Sequence, residues 1–119
     1  MKSIGVYTGN RADYGILKNL IFELKKIKSI KTLLYTGGAH YSSLFGNTYK
    51  EIIKDKIKIN FKSNLRINKI TNIEILNFFS RSITEYTKQL KKNKPDVVLI
   101  LGDRYEAYAF AITAFFLNI

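Results

Sequence analysis

With 119 residues and 13.7 kDa, the chain has room for one domain and no second, and a content of 46% hydrophobic and 13% aromatic residues excludes a disordered tail. The lack of cysteine excludes a disulfide framework, a thiolate zinc site and a cysteine nucleophile, and it points to a reducing compartment; a single histidine, His40, excludes a multi-histidine metal site. Twenty Lys+Arg against nine Asp+Glu leave a formal charge of +11, which raises nucleic-acid binding until the lysines are placed.

The N-terminal segment reads as a strand from Ser3 to Thr8, ended by Gly9-Asn10 and followed by polar Arg11-Ala12-Asp13. Its apolar run is too short for a signal peptide. A helix is expected from about Tyr14 to Lys28, because Leu17, Leu20, Ile21, Leu24 and Ile27 repeat at spacings of three and four. Lys31 to Thr36 is a second strand, stopped by Gly37-Gly38 before a loop that carries His40, Tyr41 and Ser42. Thr48 to Lys54 reads as a short helix with Thr48 and Glu51 as a capping box. Ile57, Ile59 and Phe61 alternate with polar residues, the pattern of a half-exposed third strand. Residues 62–69 lack a pattern and read as loop.

From Thr71 a long helix is expected, with Ile73, Leu76, Phe79, Ile83, Tyr86 and Leu90 on its core face. After Pro95, the run Asp96 to Leu101 suits a strand covered on both faces. Gly102-Asp103-Arg104 turns the chain into a last helix, Tyr105 to about Leu117, apolar nearly all round and therefore expected to be buried. Its longest apolar stretch, residues 107–117, is short of the ~18–20 residues that a membrane span needs, so no membrane partner is expected and the location reads as cytoplasmic.

This β-α-β-α-β-α-β-α order predicts the α/β class, a doubly wound parallel sheet with helices on both faces. The lysine clusters at residues 25–28, 54–58 and 88–94 fall at helix C-termini, where cations complement the helix dipole; with no reader motif beside them, nucleic acid is not expected as a partner. The chain stops where this architecture would place a fifth strand, so it reads as an N-terminal fragment spanning residues 1–119 of an incomplete Rossmann-like domain.

Ligands of such sheets bind outside the carboxyl ends of the strands, where strand order reverses. Here that would bring together the loop after strand one, Thr8 to Gly15, and the loop after strand four, Gly102 to Glu106. Gly9 allows close backbone approach, a helix N-terminus follows, and the Arg11 guanidinium can bind two phosphate oxygens at once, which suits a diphosphate. The plainer reading is that Arg11 pairs with Asp13. Neither G-x-x-x-x-G-K-[ST] nor G-x-G-x-x-G is present. Asp103 is either the cap of the last helix, with Glu106 as its partner, or a carboxylate held in the crevice beside Arg104. His40 either contacts substrate or faces solvent.

Three motifs in order, Thr8-Gly9-Asn10-Arg11-Ala12-Asp13-Tyr14-Gly15, then Ala39-His40-Tyr41-Ser42 with Phe45 to Ile52, then Lys94-Pro95-Asp96 through Leu101-Gly102-Asp103-Arg104-Tyr105-Glu106, resemble the hydrolysing UDP-N-acetylglucosamine 2-epimerases of sialic-acid and legionaminic-acid biosynthesis. The resemblance implies a GT-B-like fold of two Rossmann-like domains with the active site between them, this chain supplying most of the first. It implies removal of the C2 proton of UDP-GlcNAc, expulsion of UDP to a glycal, and addition of water to give N-acetylmannosamine, with neither metal nor other cofactor. Residue by residue, it implies that Asp103 is one of the catalytic acid/base carboxylates, that Arg11 holds the UDP portion and that Arg104 supports substrate or phosphate binding; Gly9, Asp13 and His40, by their places in these loops, are expected as further UDP-sugar-binding residues. Non-hydrolysing relatives more often carry Gly-Thr-Arg-Pro in the first motif and Gly-Asp-Thr in the last, so both differences here point to the hydrolysing branch. A full-length homo-oligomer is expected, and the fragment alone should not turn over. The alternatives are a hydrolysing epimerase of a UDP-diacetamido sugar and a non-enzymatic nucleotide-binding module.

Overall fold

A computed structural model describes residues 2–119. Four strands, β1 (Lys2–Thr8), β2 (Ile30–Thr36), β3 (Phe61–Lys62) and β4 (Val97–Ile100), form one sheet of order β3-β2-β1-β4 in which every pairing is parallel. The helices α1 (Arg11–Lys26), α2 (Tyr49–Lys54), α3 (Asn72–Lys92) and α4 (Tyr105–Phe116) connect them, with two short 3-10 turns between β2 and α2. The fold is α/β and doubly wound, and strand order reverses between β1 and β4 as the alternating elements predict.

Side chains alternate across the sheet, as strand geometry requires. Val6 and Leu34 pack with Tyr14, Leu17 and Ile21 of α1 and Ile52 of α2, while Tyr7, Leu33 and Tyr35 pack with Tyr86 and Leu90 of α3 and Phe110 of α4. On that second face Tyr7 stacks on Phe110 at 4.5 Å between ring centres, and its hydroxyl meets that of Tyr86 at 2.7 Å, so both buried phenols are satisfied.

Five expectations change in detail. Helix α1 starts at Arg11 rather than Tyr14, because the Asn10 side chain accepts from the Asp13 amide at 2.9 Å and caps it there. The third strand shrinks to Phe61–Lys62: the Leu34 amide is taken by the Asn60 side chain at 2.8 Å, and Ile57 turns into the core instead of extending the ladder. In α3 the buried row is Phe78, Ser82, Tyr86 and Leu90, while Ile73 and Leu76 are 66% and 61% exposed; periodicity tells which residues share a face, not how far along the helix the covering layer reaches. Strand β4 is an edge of this sheet, so Val97 is exposed and Val98 to Ile100 are half-buried. Helix α4 buries one face through Ala107, Phe110 and Ala114 but exposes Tyr108, Phe115 and Phe116.

Lysines close each of the first three helices, at Lys25-Lys26, Lys54 and Lys91-Lys92, the end of each helix remote from the carboxyl edge of the strands. No helix among the described residues is long and apolar enough to cross a membrane.

Candidate functional site

The turns that leave β1 and β4 open side by side, because those strands are hydrogen-bonded neighbours from Ile4–Val97 to Tyr7–Ile100. Two shallow crevices flank them. One, of about 310 Å³, lies between the first turn of α1 (Asn10, Arg11), the segment before α2 (Phe45, Thr48) and Arg104. The other, of about 390 Å³, lies between Asn10, Asp13, Gly102 and Asp103. Arg104 lines both, as do Asn10 and Ala12.

Beneath the crevices runs a chain of hydrogen bonds. The Asp13 carboxylate accepts from the Gly9 amide at 3.1 Å and from the Thr8 hydroxyl; Thr8 meets His40 Nε2 at 2.8 Å, and His40 Nδ1 meets the Thr48 hydroxyl at 2.9 Å. The directions follow from proton count. Thr8 has one proton, and the carboxylate draws it, so Thr8 accepts from a protonated Nε2; Nδ1 is then bare and accepts from Thr48. His40 is thereby the neutral Nε2–H tautomer. The chain joins the ends of β1 and β2 to the start of α2 and sets the depth of the crevice floor.

This corrects the solvent-facing reading of His40, which has no exposed surface. Asp13 is buried as well, and Arg11 pairs through Nε with Glu51 at 3.1 Å, not with Asp13. Thr48 does not cap α2 with its side chain, since its hydroxyl serves His40. Asp103 is not the cap of α4 either: that position is Arg104, Gly102 takes φ +105 to make the turn, and Asp103 stands exposed on it. Gly9 is packed against Glu106 and the Tyr7 hydroxyl, so its value lies in close approach of the loop to its own floor.

Burial pushes the Asp13 carboxyl up, with the Thr8 and Gly9 hydrogen bonds opposing, and it pushes His40 down from 6.5 to about 4. Below pH ~6.5 an unfolded chain takes up a proton that the native His40 refuses, so this residue removes stability as pH falls toward about 4, by up to about 3 kcal/mol. Asp13 and Glu106, both raised by burial, act in the opposite sense. The expected signature is therefore a difference: between pH 7 and pH 4.5, urea unfolding should show a larger loss for wild type than for His40→Asn. Parallel losses would show that His40 does not carry the effect.

Two more side chains, neither singled out for the site from the sequence, shape it. Phe45 lies 5.5 Å under the Arg104 guanidinium. Glu106, read as a possible capping partner, is a buried carboxylate whose Oε1 takes Arg104 Nε at 2.5 Å. Gly9 and Gly38, which leave room for its stem where a Cβ would collide with it, are the trace that this packing leaves in the sequence.

A parallel doubly wound sheet with a polar crevice at its switch point is the arrangement in which open α/β proteins hold their ligands. The family model of UDP-N-acetylglucosamine 2-epimerase matches residues 22–119, and the chain belongs to that family. It is 34% identical over 119 residues to polysialic acid biosynthesis protein P7 of Escherichia coli, and 32% identical over 119 residues to the hydrolysing UDP-N,N'-diacetylbacillosamine 2-epimerase of Legionella pneumophila. Each alignment covers 100% of this chain and 30% and 32% of the relative. The UDP-GlcNAc 2-epimerase of Neisseria meningitidis, solved bound to UDP-GlcNAc, superposes with a TM-score of 0.79 at 25% identity over 100% of this chain and 30% of that one. The chain thus spans about a third of the length of the proteins it matches.

Proposed function

We propose that the full-length protein is a hydrolysing UDP-N-acetylglucosamine 2-epimerase in which this chain forms most of the first of two Rossmann-like, GT-B-like domains. The observation that carries the reading is the juxtaposition at the β1/β4 switch point of two guanidiniums, Arg11 and Arg104, with one exposed carboxylate, Asp103. In this reading Arg11 and Arg104 bind the diphosphate as bidentate donors. Asp103 serves as an acid or base at C2, a task that suits a carboxylate once a closing second domain excludes water from it. UDP departs with its charge held by the cationic crevice, and water adds to the glycal to release N-acetylmannosamine.

A second reading has a specific support: the Legionella relative is named for a diacetamido sugar. A UDP-diacetamido-trideoxy sugar is then the substrate of the same chemistry. Product analysis on the full-length protein with UDP-GlcNAc and with its 4-acetamido-6-deoxy analogue separates them, and release of UDP from neither substrate would reject both.

Arg11 is exposed and its partner Glu51 is on the surface, so Arg11→Ala should cost little stability. Its expected effect is on UDP affinity, a weakening of ~1.5–3 kcal/mol for a lost charge-assisted hydrogen bond. Calorimetric titration with UDP checks this, and an unchanged affinity would leave Arg11 with its surface ion pair alone.

A further inference from the structure

Glu106 stands at the head of α4 with 1% of its surface exposed. One carboxylate oxygen binds Arg104 Nε at 2.5 Å; the other, Oε2, is buried with no hydrogen-bond partner among the described residues. Its stem threads between two backbones. A Cβ on Gly9 would lie 2.5 Å from Glu106 Cγ, and one on Gly38 would lie 2.7 Å from the same atom. The loops after β1 and β2 are therefore bare of side chain where Glu106 passes. Arg104, in contrast, keeps 36% of its side chain exposed and rests on Phe45 and Tyr105, at 5.5 and 5.3 Å from the ring centres.

The pair is lopsided. Arg104 is wet enough to stay solvated without a partner, whereas a buried carboxylate with an empty acceptor is a burden on the fold. Such an arrangement adds little as a device for stability. What it does is geometric: a guanidinium pinned at Nε has its plane fixed, and apart from one long contact of 3.4 Å from Nη2 to the Tyr105 hydroxyl its remaining Nη donors are left for the crevices that Arg104 lines. Ordering a long side chain in advance removes a cost otherwise met on binding.

We propose that Glu106 is a positioning residue which holds the Arg104 guanidinium in the orientation that receives the diphosphate of a nucleotide sugar. The inference rests on the nucleotide reading of the crevice given above. It assigns to Glu106 a role through Arg104 and no contact with substrate.

The test uses the full-length protein, UDP as probe, and two readouts. Nitrogen NMR of the Arg104 Nε–H without ligand should show a slowly exchanging resonance in wild type that is lost in Glu106→Gln. Calorimetric titration should show UDP affinity reduced roughly tenfold in Glu106→Gln, with the melting temperature held or raised because the buried charge is gone. In an Arg104→Ala background the same substitution should change affinity less than twofold, since the group it positions is absent. Glu106→Asp, which keeps the charge but shortens the reach, should lose affinity as the Gln variant does, and it decides the matter if Glu106→Gln fails to fold. Wild-type affinity in either single variant, losses that multiply with Arg104→Ala, or an Arg104 Nε–H that exchanges as freely as an exposed one would overturn the proposal. A wild-type protein that keeps the protected Nε–H yet does not bind UDP would reject the nucleotide reading, and with it the purpose assigned to the pair.

Discussion

Asp103→Asn in the full-length protein is expected to abolish UDP release while leaving the fold intact. The stability half of this expectation comes from the structure. Asp103 is exposed, it does not cap α4, and the turn that presents it is made by Gly102 at φ +105; a surface change of this kind falls within about 0.5 kcal/mol. The activity half comes from charge. Asn keeps the shape and the hydrogen-bonding reach but cannot take or return a proton, and loss of a positioned acid/base costs on the order of 10²–10⁴ in rate. A UDP-release assay beside a thermal melt reads both. Wild-type turnover would remove Asp103 from the chemistry, and a collapsed melt would mean that the turn needs its carboxylate for folding.

The largest effect on folding is expected from Gly38→Ala. Gly38 has φ +59, and an added Cβ there would come within 2.7 Å both of the Gly9 carbonyl oxygen and of Glu106 Cγ. The left-handed backbone alone costs an L-residue roughly 1–2 kcal/mol. The Gly9 carbonyl is backbone tied to the Asp13 network and cannot step aside cheaply, so the total should reach about 2–4 kcal/mol. Gly46→Ala is the matched control. It has φ +82 with nothing within 4 Å of the added atom, so only the backbone strain remains. Urea unfolding of the two variants should separate them by at least ~1 kcal/mol, the contribution of the crowding. Equal losses would show that the loops after β1 and β2 can spread, and that the Glu106 passage is looser than the packing indicates.

Both expectations concern residues whose surroundings come from three loops far apart in the chain. Asp103 was legible as a candidate because a glycine, an acid and an arginine follow the most apolar strand. What it would do at that place was not: cap and crevice carboxylate fit the same four residues, and the structure removes the cap alone, by placing Arg104 at that position. For Arg11 the nearby Asp13 was the plausible partner in sequence, yet Asp13 points inward to Thr8 while Arg11, two positions earlier on a helix, faces Glu51 from α2.

The order of elements, the parallel class of the sheet and the placing of polar turns at the ends of β1 and β4 were determined by the sequence by itself. Those features depend on hydrophobic period and on glycine and proline, whose influence acts within a few residues. The depth of His40, the burial of Glu106 between two glycines, and the late start of β3 at Phe61, after Asn60, were decided only by tertiary structure. Each depends on groups separated by tens of residues that meet because the strands pair in parallel in the order β3-β2-β1-β4, and no local pattern encodes which side chain will stand across that gap.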